Sequence, residues 1–202
     1  MVNVKIYVEG GGERNGLRTE CRRGYSQFLE KAGLKGHMPK IIACGTRRHA
    51  YDDFCTALKA AKGDCIILLV DSEDPIQPGS NKWNHVKNRD GWNCPNGAIE
   101  ENIHFMVQCL EAWFMADKET LAKFYGDGFA ANSLSANLDI QAIPKQQLFS
   151  SLDQATKDSN SKGKYHKGNH AFAILALISP DKVARSSPYA AGFIDTVKNR
   201  CI

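Results

Sequence analysis

"GDCIILLVDSED", residues 63–74, is the stretch on which the fold turns. From Cys65 to Val70 every residue is apolar, with no polar alternation. A strand with one wet face alternates, so an unbroken run means that both faces are covered. This is the pattern of a parallel sheet roofed by helices. The run closes on Asp71, with Glu73 two residues later. Upstream, "RRHAYDDFCTALKAAKG" (47–63) sets Tyr51, Phe54, Cys55 and Leu58 on one helical face, and "PKIIACG" (39–45) reads as a strand before it. Further back, "RNGLRTECRRGYSQFLEKA" (14–32) spaces Leu17, Cys21, Tyr25, Phe28 and Leu29 as a helix does, with Gly16 and Gly24 as weak points. The chain opens with a β-branched strand, "VNVKIYVE" (2–9), which Gly10–Gly12 terminate.

Strand, helix, strand, helix, strand implies right-handed crossovers. The expected fold class is α/β, a Rossmann-like, mostly parallel sheet sandwiched by helices, with strands near 2–8, 39–44 and 65–70. A polar loop follows, "PIQPGSNKWNHVKNRDGWNCPNG" (75–97), long enough to suggest a functional or mobile segment. A short strand running into a helix resumes at residue 102. From Asn132 onward the chain reads as helical pieces, which gives an α/β core over 1–125 and a helical C-terminal extension over 126–202.

Composition narrows the classes. Of 202 residues, 43% are hydrophobic and 24% charged, the balance of a globular chain. No apolar run approaches the ~20 residues of a membrane helix, and the first residues lack a signal-peptide layout, so no membrane partner and a cytoplasmic location are expected. Seven cysteines with no CxxC pair, several inside apolar runs, argue for reduced thiols and against disulfides or zinc. A net charge of +4 permits a nucleic-acid partner without demanding one. The sequence leaves a homodimer open.

Sites in open parallel sheets form at the carboxyl ends of strands. Glu9 closes the first strand, Asp71 the third, and Glu73 follows. If those strands are neighbours, the three carboxylates converge, with Glu13 one loop away. Clustered carboxylates need a positive partner, and Mg²⁺ or Mn²⁺ prefers such oxygen donors. The alternative has Glu9 capping a helix, with Asp71 and Glu73 as solvated loop residues. Acidic residues closing two separate strands favour the metal. Gly10–Gly12 allow positive φ and close backbone approach to a phosphate, but match neither the Walker loop nor G-x-G-x-x-G.

Arg14, Arg18 and Arg22 fall four apart and form a stripe that either tracks substrate phosphates or is a solvated face pairing with Glu20 and Glu30. Arg47, at the end of the second strand, is a further phosphate candidate. Glu111, between apolar residues, is either paired with a base or aimed at a site. In the basic segment 157–170, Lys167 is a candidate to stabilise transition-state charge and a histidine to relay a proton, or the segment is a surface loop.

"VEGGGE" (8–13) with "LLVDSED" (68–74) resembles the Toprim domain of topoisomerases, primases and OLD-family nucleases. A wider set, "RRGYSQFLEKAG", "ACGTRRHAYDDF", "MVQCLEAWFMAD" and "GKYHKGNHAFAIL", resembles a bacterial Toprim-like family. One branch of that family forms the nuclease subunit of the PARIS phage-defence system, partnered with an ABC-type ATPase. The resemblance implies a Mg²⁺-dependent nuclease acting on DNA or RNA. In it Glu9, Asp71 and Glu73 are catalytic and metal-binding residues, and Glu13 is a further ligand. Lys167 takes the place of the lysine near the metals, in order along the chain. Glu111 is added to the catalytic candidates on its apolar surroundings, not on the resemblance. Glu73 departs from the aspartate usual at its position. The competing reading is a catalytically silent or gated module docking on the ATPase, for which the loop with Trp83 and Trp92 is suited. A phosphate-sugar or nucleotide-binding protein fits the sheet but lacks its motif.

Overall fold

The computed structural model describes residues 3–12 and 15–202. Four strands, β1 (Val4–Gly11), β2 (Lys40–Gly45), β3 (Cys65–Asp71) and β4 (Ile103–Met106), form one sheet in the order β2-β1-β3-β4. Every neighbouring pair is parallel. The α/β reading therefore holds, and the first and third strands are the adjacent central pair.

The period-2 geometry of β3 accounts for its apolar run. Ile67 and Leu69 pack on one face with Ile6 and Val8, while Ile66, Leu68 and Val70 pack on the other. Helix α1 (Asn15–Leu29) covers the first face through Cys21, Tyr25, Phe28 and Leu29. Helix α2 (Arg47–Ala60) covers the second through Ala50 and Phe54. The chain thus leaves β1 toward one face and β2 toward the other. The crevice at the carboxyl ends of β1 and β3 is the switch point where open α/β sheets bind ligands.

Strand β1 runs past its expected end, through Gly10 and Gly11, which both pair with Gly45 in a bulge. A Cβ on Gly11 would sit 2.7 Å from the Arg18 Cα, so close packing of α1 on the strand end demands glycine there. Helix α1 stops at Leu29, short of the expected Ala32, and gives way to a wide π-turn over Glu30–Leu34 in which Gly33 has φ 99°.

The segment 75–97 departs most from expectation. It contains helix α3 (Lys82–Asp90), capped by the Asn81 side chain and ended by Gly91 at φ 72°. Trp83 and Trp92 are buried, not displayed. The Trp83 indole donates to the Ile99 carbonyl at 3.1 Å, and Trp92 stacks on Tyr51 with ring centroids 4.4 Å apart. Two large aromatic surfaces gain more from burial than a polar loop gains from solvation.

After β4 come α4 (Leu110–Phe114), α5 (Lys118–Tyr125), α6 (Lys145–Thr156), α7 (Lys167–Leu177), α8 (Pro180–Ser186) and α9 (Pro188–Cys201). Helices α7 and α9 contribute Ala171, Ile174, Leu175 and Phe193 to the same core as β1 and α1. Gly24 lets α1 and α7 meet closely, since a Cβ there would lie 2.7 Å from the Phe172 carbonyl oxygen. Among the described residues no helix is long and apolar enough to cross a membrane. All seven cysteines are free thiols.

Candidate metal centre

Glu9 sits near the end of β1 and Asp71 at the end of β3, and the parallel pairing of these strands brings them side by side. Glu73 follows two residues on with φ 67°, alone among the described non-glycine residues in having a positive φ. That conformation costs ~1–2 kcal/mol and turns the chain at the crevice. One carboxylate oxygen from each of Glu9, Asp71 and Glu73 lies within 4.8 Å of the others.

Each carboxylate is held differently. Asp71 is buried, and its Oδ1 accepts from the backbone N–H of Leu110, the first residue of α4, at 2.9 Å. Its Oδ2 faces Lys167 Nζ at 3.7 Å. Burial pushes the Asp71 carboxyl up to about 8; Lys167 opposes the shift, and Glu9 and Glu111 add to it. Burial also raises Glu9, against the pull of Arg47 and Lys167. Glu9 Oε2 has no hydrogen-bond partner among the described residues, and its nearest cation is Arg47 Nη1 at 3.7 Å. Glu73 behaves in the opposite sense. Partial burial raises it, but the hydrogen bond and charge of Lys145, with Arg89 at 3.8 Å, more than offset this and leave its carboxyl below the ordinary value.

Glu111 is wholly buried on α4. Its Oε1 accepts from the Tyr165 hydroxyl at 2.8 Å and lies 3.6 Å from Lys167 Nζ, whereas Oε2 has no hydrogen-bond partner among the described residues. Lys167, the first residue of α7, keeps a half-exposed side chain. Burial would lower its pKa, yet Asp71 and Glu111 raise it well above the ordinary value, so the ammonium stays charged. The lysine placed here by chain order alone thus stands between two acidic residues of the site. Beside them opens a recess of ≈290 Å³, lined by Gly10–Gly12, Leu17, Leu110 and Phe172 on its apolar side.

The basic candidates separate. Arg47 forks onto Asp90, with Nη2–Oδ2 at 2.7 Å and Nε–Oδ1 at 3.2 Å, donates to the Asp71 carbonyl, and lies 4.8 Å from the Trp92 ring centroid. As a free phosphate contact it must therefore be corrected: its guanidinium is engaged on all sides and belongs to the charge balance of the crevice. The Nε of Arg18 donates to the Gly12 carbonyl at 3.1 Å, bracing the glycine loop. Arg22 is exposed and donates to Thr19, and Arg23 pairs with Glu20, which is the solvated-face pattern on that part of α1. Glu13 and Arg14 lie outside the described residues.

The model of one protein family matches residues 8–198. The chain belongs to the DUF4276 family, described as a domain of unknown function. Neither the curated proteins nor the solved structures yielded a match. The matched span takes in every residue of this DUF4276 crevice, including those that the sequence reading passed over. Lys145, which hydrogen-bonds Glu73, is the first residue of α6. Arg89 and Asp90 close α3, and Tyr165 precedes α7. A signal for two of the cations was present: Lys145 and Lys167 open helices, where the macrodipole favours acidic residues.

Proposed function

We propose that this DUF4276 chain hydrolyses phosphodiester bonds in nucleic acid, using Mg²⁺ or Mn²⁺ held by Glu9, Asp71 and Glu73. The observation that carries the reading is the convergence of these three carboxylates at the switch point of the sheet, with Lys167 beside them. An all-oxygen, carboxylate-rich donor set suits hard divalent cations, and the buried Glu9 Oε2, without a hydrogen-bond partner among the described residues, is a donor atom left over for one. Bound there, the metal would supply Lewis-acid polarisation of a phosphoryl oxygen and a more acidic water.

The chain's own groups have definable parts. Glu73, kept ionised by Lys145 and Arg89, is a ready ligand. Leu110 N–H fixes the rotamer of Asp71, and Tyr165 holds Glu111 in place behind Lys167. The half-exposed Lys167 ammonium can reach a phosphoryl oxygen and stabilise charge developing on it. The ≈290 Å³ recess gives a nucleotide's substituent room next to the carboxylates. The phage-defence setting and the ATPase partner rest on the Toprim-like resemblance. The docking-module alternative loses its main support, since Trp83 and Trp92 lie inside.

The test is cleavage of end-labelled single-stranded DNA, duplex DNA and RNA with Mg²⁺, Mn²⁺ or EDTA. Turnover with metal is expected, abolished in Asp71→Asn and reduced by about 10²-fold or more in Lys167→Ala. No turnover of any substrate with either metal would refute the reading.

A further inference from the structure

We infer that Lys167 occupies the place of a second metal ion, so that the centre takes one divalent cation and not two. The inference rests on the metal-binding half of the reading above and not on the identity of the substrate. Two-metal phosphoryl-transfer centres hold their ions about 3.5–4 Å apart and need carboxylate oxygens for both. Glu9, Asp71 and Glu73 bring one ligand oxygen each within 4.8 Å of the others. Glu111 is a fourth carboxylate, joined to Asp71 through the Lys167 ammonium. In the gap between Asp71 and Glu111 lies the Lys167 ammonium, 3.7 Å from Asp71 Oδ2 and 3.6 Å from Glu111 Oε1.

Both separations exceed hydrogen-bond length. The ammonium is therefore a positive charge lodged among carboxylates, not one tied to either by a short bond. Glu111 is fully buried, and a buried carboxylate needs compensation on both oxygens. Oε1 has the Tyr165 hydroxyl, while Oε2 has no hydrogen-bond partner among the described residues, so Glu111 too keeps a buried donor atom to spare. Asp71 as the shared carboxylate and Glu111 as the far one make the ligand set of a second site, and the chain fills it with its own cation. A divalent ion entering that gap would meet the ammonium at close range and be repelled. The position on α7 agrees with this: Lys167 is the first residue of an eleven-residue helix, where a positive charge opposes the macrodipole. What compensates it there is the pair of carboxylates.

The experiment counts metal without requiring turnover. Full-length protein is stripped with EDTA, dialysed to equilibrium against Mn²⁺, and assayed for bound Mn²⁺ by elemental analysis and by electron paramagnetic resonance. Wild type is expected to hold one Mn²⁺ per chain with the spectrum of an isolated ion. Lys167→Ala should rise to two, with the broadened spectrum of a coupled pair. Lys167→Arg, which keeps a cation in the gap, should stay at one, and Lys167→Ala with Glu111→Gln should fall back to one. Lys167→Ser serves as a second route if the alanine variant does not fold by circular dichroism. Two ions in wild type, or one in both wild type and the folded alanine or serine variant, overturns this inference and leaves the proposed function standing. No bound Mn²⁺ in any form overturns the metal reading and this inference together.

Discussion

Replacing Asp71 by Asn should stabilise the metal-free protein near neutral pH and weaken it relative to wild type once Mn²⁺ is present. Asp71 is buried, and its carboxyl is pushed from the ordinary 3.8 up to about 8 by burial, with Glu9 and Glu111 adding to the shift against Lys167. A folded-state pKa above the unfolded one contributes stability that is complete below pH 3.8 and is lost as pH rises through 8. Over that window the folded chain holds a proton that the unfolded chain has released, and stability falls by up to ~1.4 kcal/mol per pH unit. Asn carries no such proton and keeps an oxygen to accept from Leu110 N–H, so its stability curve lacks this slope. Between pH 5 and pH 7 the variant should therefore gain ~2–3 kcal/mol on wild type, or roughly 5–10 °C in Tm for a chain of this size. The remaining titrations, Glu9 included, are present in both proteins and largely cancel in the difference. Denaturant and thermal unfolding in EDTA at half-unit pH steps measure it. Saturating Mn²⁺ should reverse the order, because a ligand bound only to the folded state stabilises wild type by RT ln(1 + [L]/Kd). Parallel pH curves in EDTA, with the variant less stable throughout, would refute the account of Asp71 as a destabilised carboxylate.

His104 is buried and held neutral, its pKa lowered by burial to about 3, so below pH 6.5 the unfolded chain takes a proton that the folded chain refuses. Stability should fall by up to ~1.4 kcal/mol per unit between pH 6.5 and 3, and His104→Gln should flatten that slope in urea midpoints measured at pH 5 and 7. Gly24→Ala places a Cβ 2.7 Å from the Phe172 carbonyl oxygen; prying α1 from α7 should cost about 1–3 kcal/mol in urea unfolding. Trp83→Ala should cost about 3–5 kcal/mol, whereas a loss under 1 kcal/mol would show that this indole is not core.

The sheet was legible because its signals are local. Six apolar residues in β3 can only be a doubly covered strand or a buried helix segment, and the flanking Gly63 and Asp71 decide for the strand. Glu9, Asp71 and Glu73 were legible for a related reason: strand ends can be located in sequence, and parallel pairing makes adjacent ends converge. Helix α3 escaped because only Trp83 and Val86 are buried along it, too few for a period, although Asn81 and Gly91 had marked both of its ends. Lys145 escaped because it reaches Glu73 across 72 residues of sequence and Tyr165 reaches Glu111 across 54. No local pattern encodes such contacts. They exist only after α6 and α7 have docked on the core.

That docking bears on which parts of the chain the crevice requires. Arg47, Lys145 and Lys167 are the first residues of α2, α6 and α7, and Leu110 is the first of α4. Four helix starts therefore face the carboxylates, three of them with a full positive charge where a helix by itself favours a negative one. A residue that opposes its own helix in this way is a local conflict, and such conflicts concentrate where a site demands them. Each of the three cations is matched to a particular acid: Arg47 to Asp90 and Glu9, Lys145 to Glu73, Lys167 to Asp71 and Glu111. Two of the three come from beyond residue 126, so among the described residues the α/β core taken alone would hold Glu9, Asp71, Glu73 and Glu111 with Arg47 and Arg89 as their paired cations. Like charges so close, partly shielded from water, would drive protonation or separation of the strand ends. The C-terminal helices supply the missing charge as well as apolar cover, which makes them part of the centre and not an appendage to it.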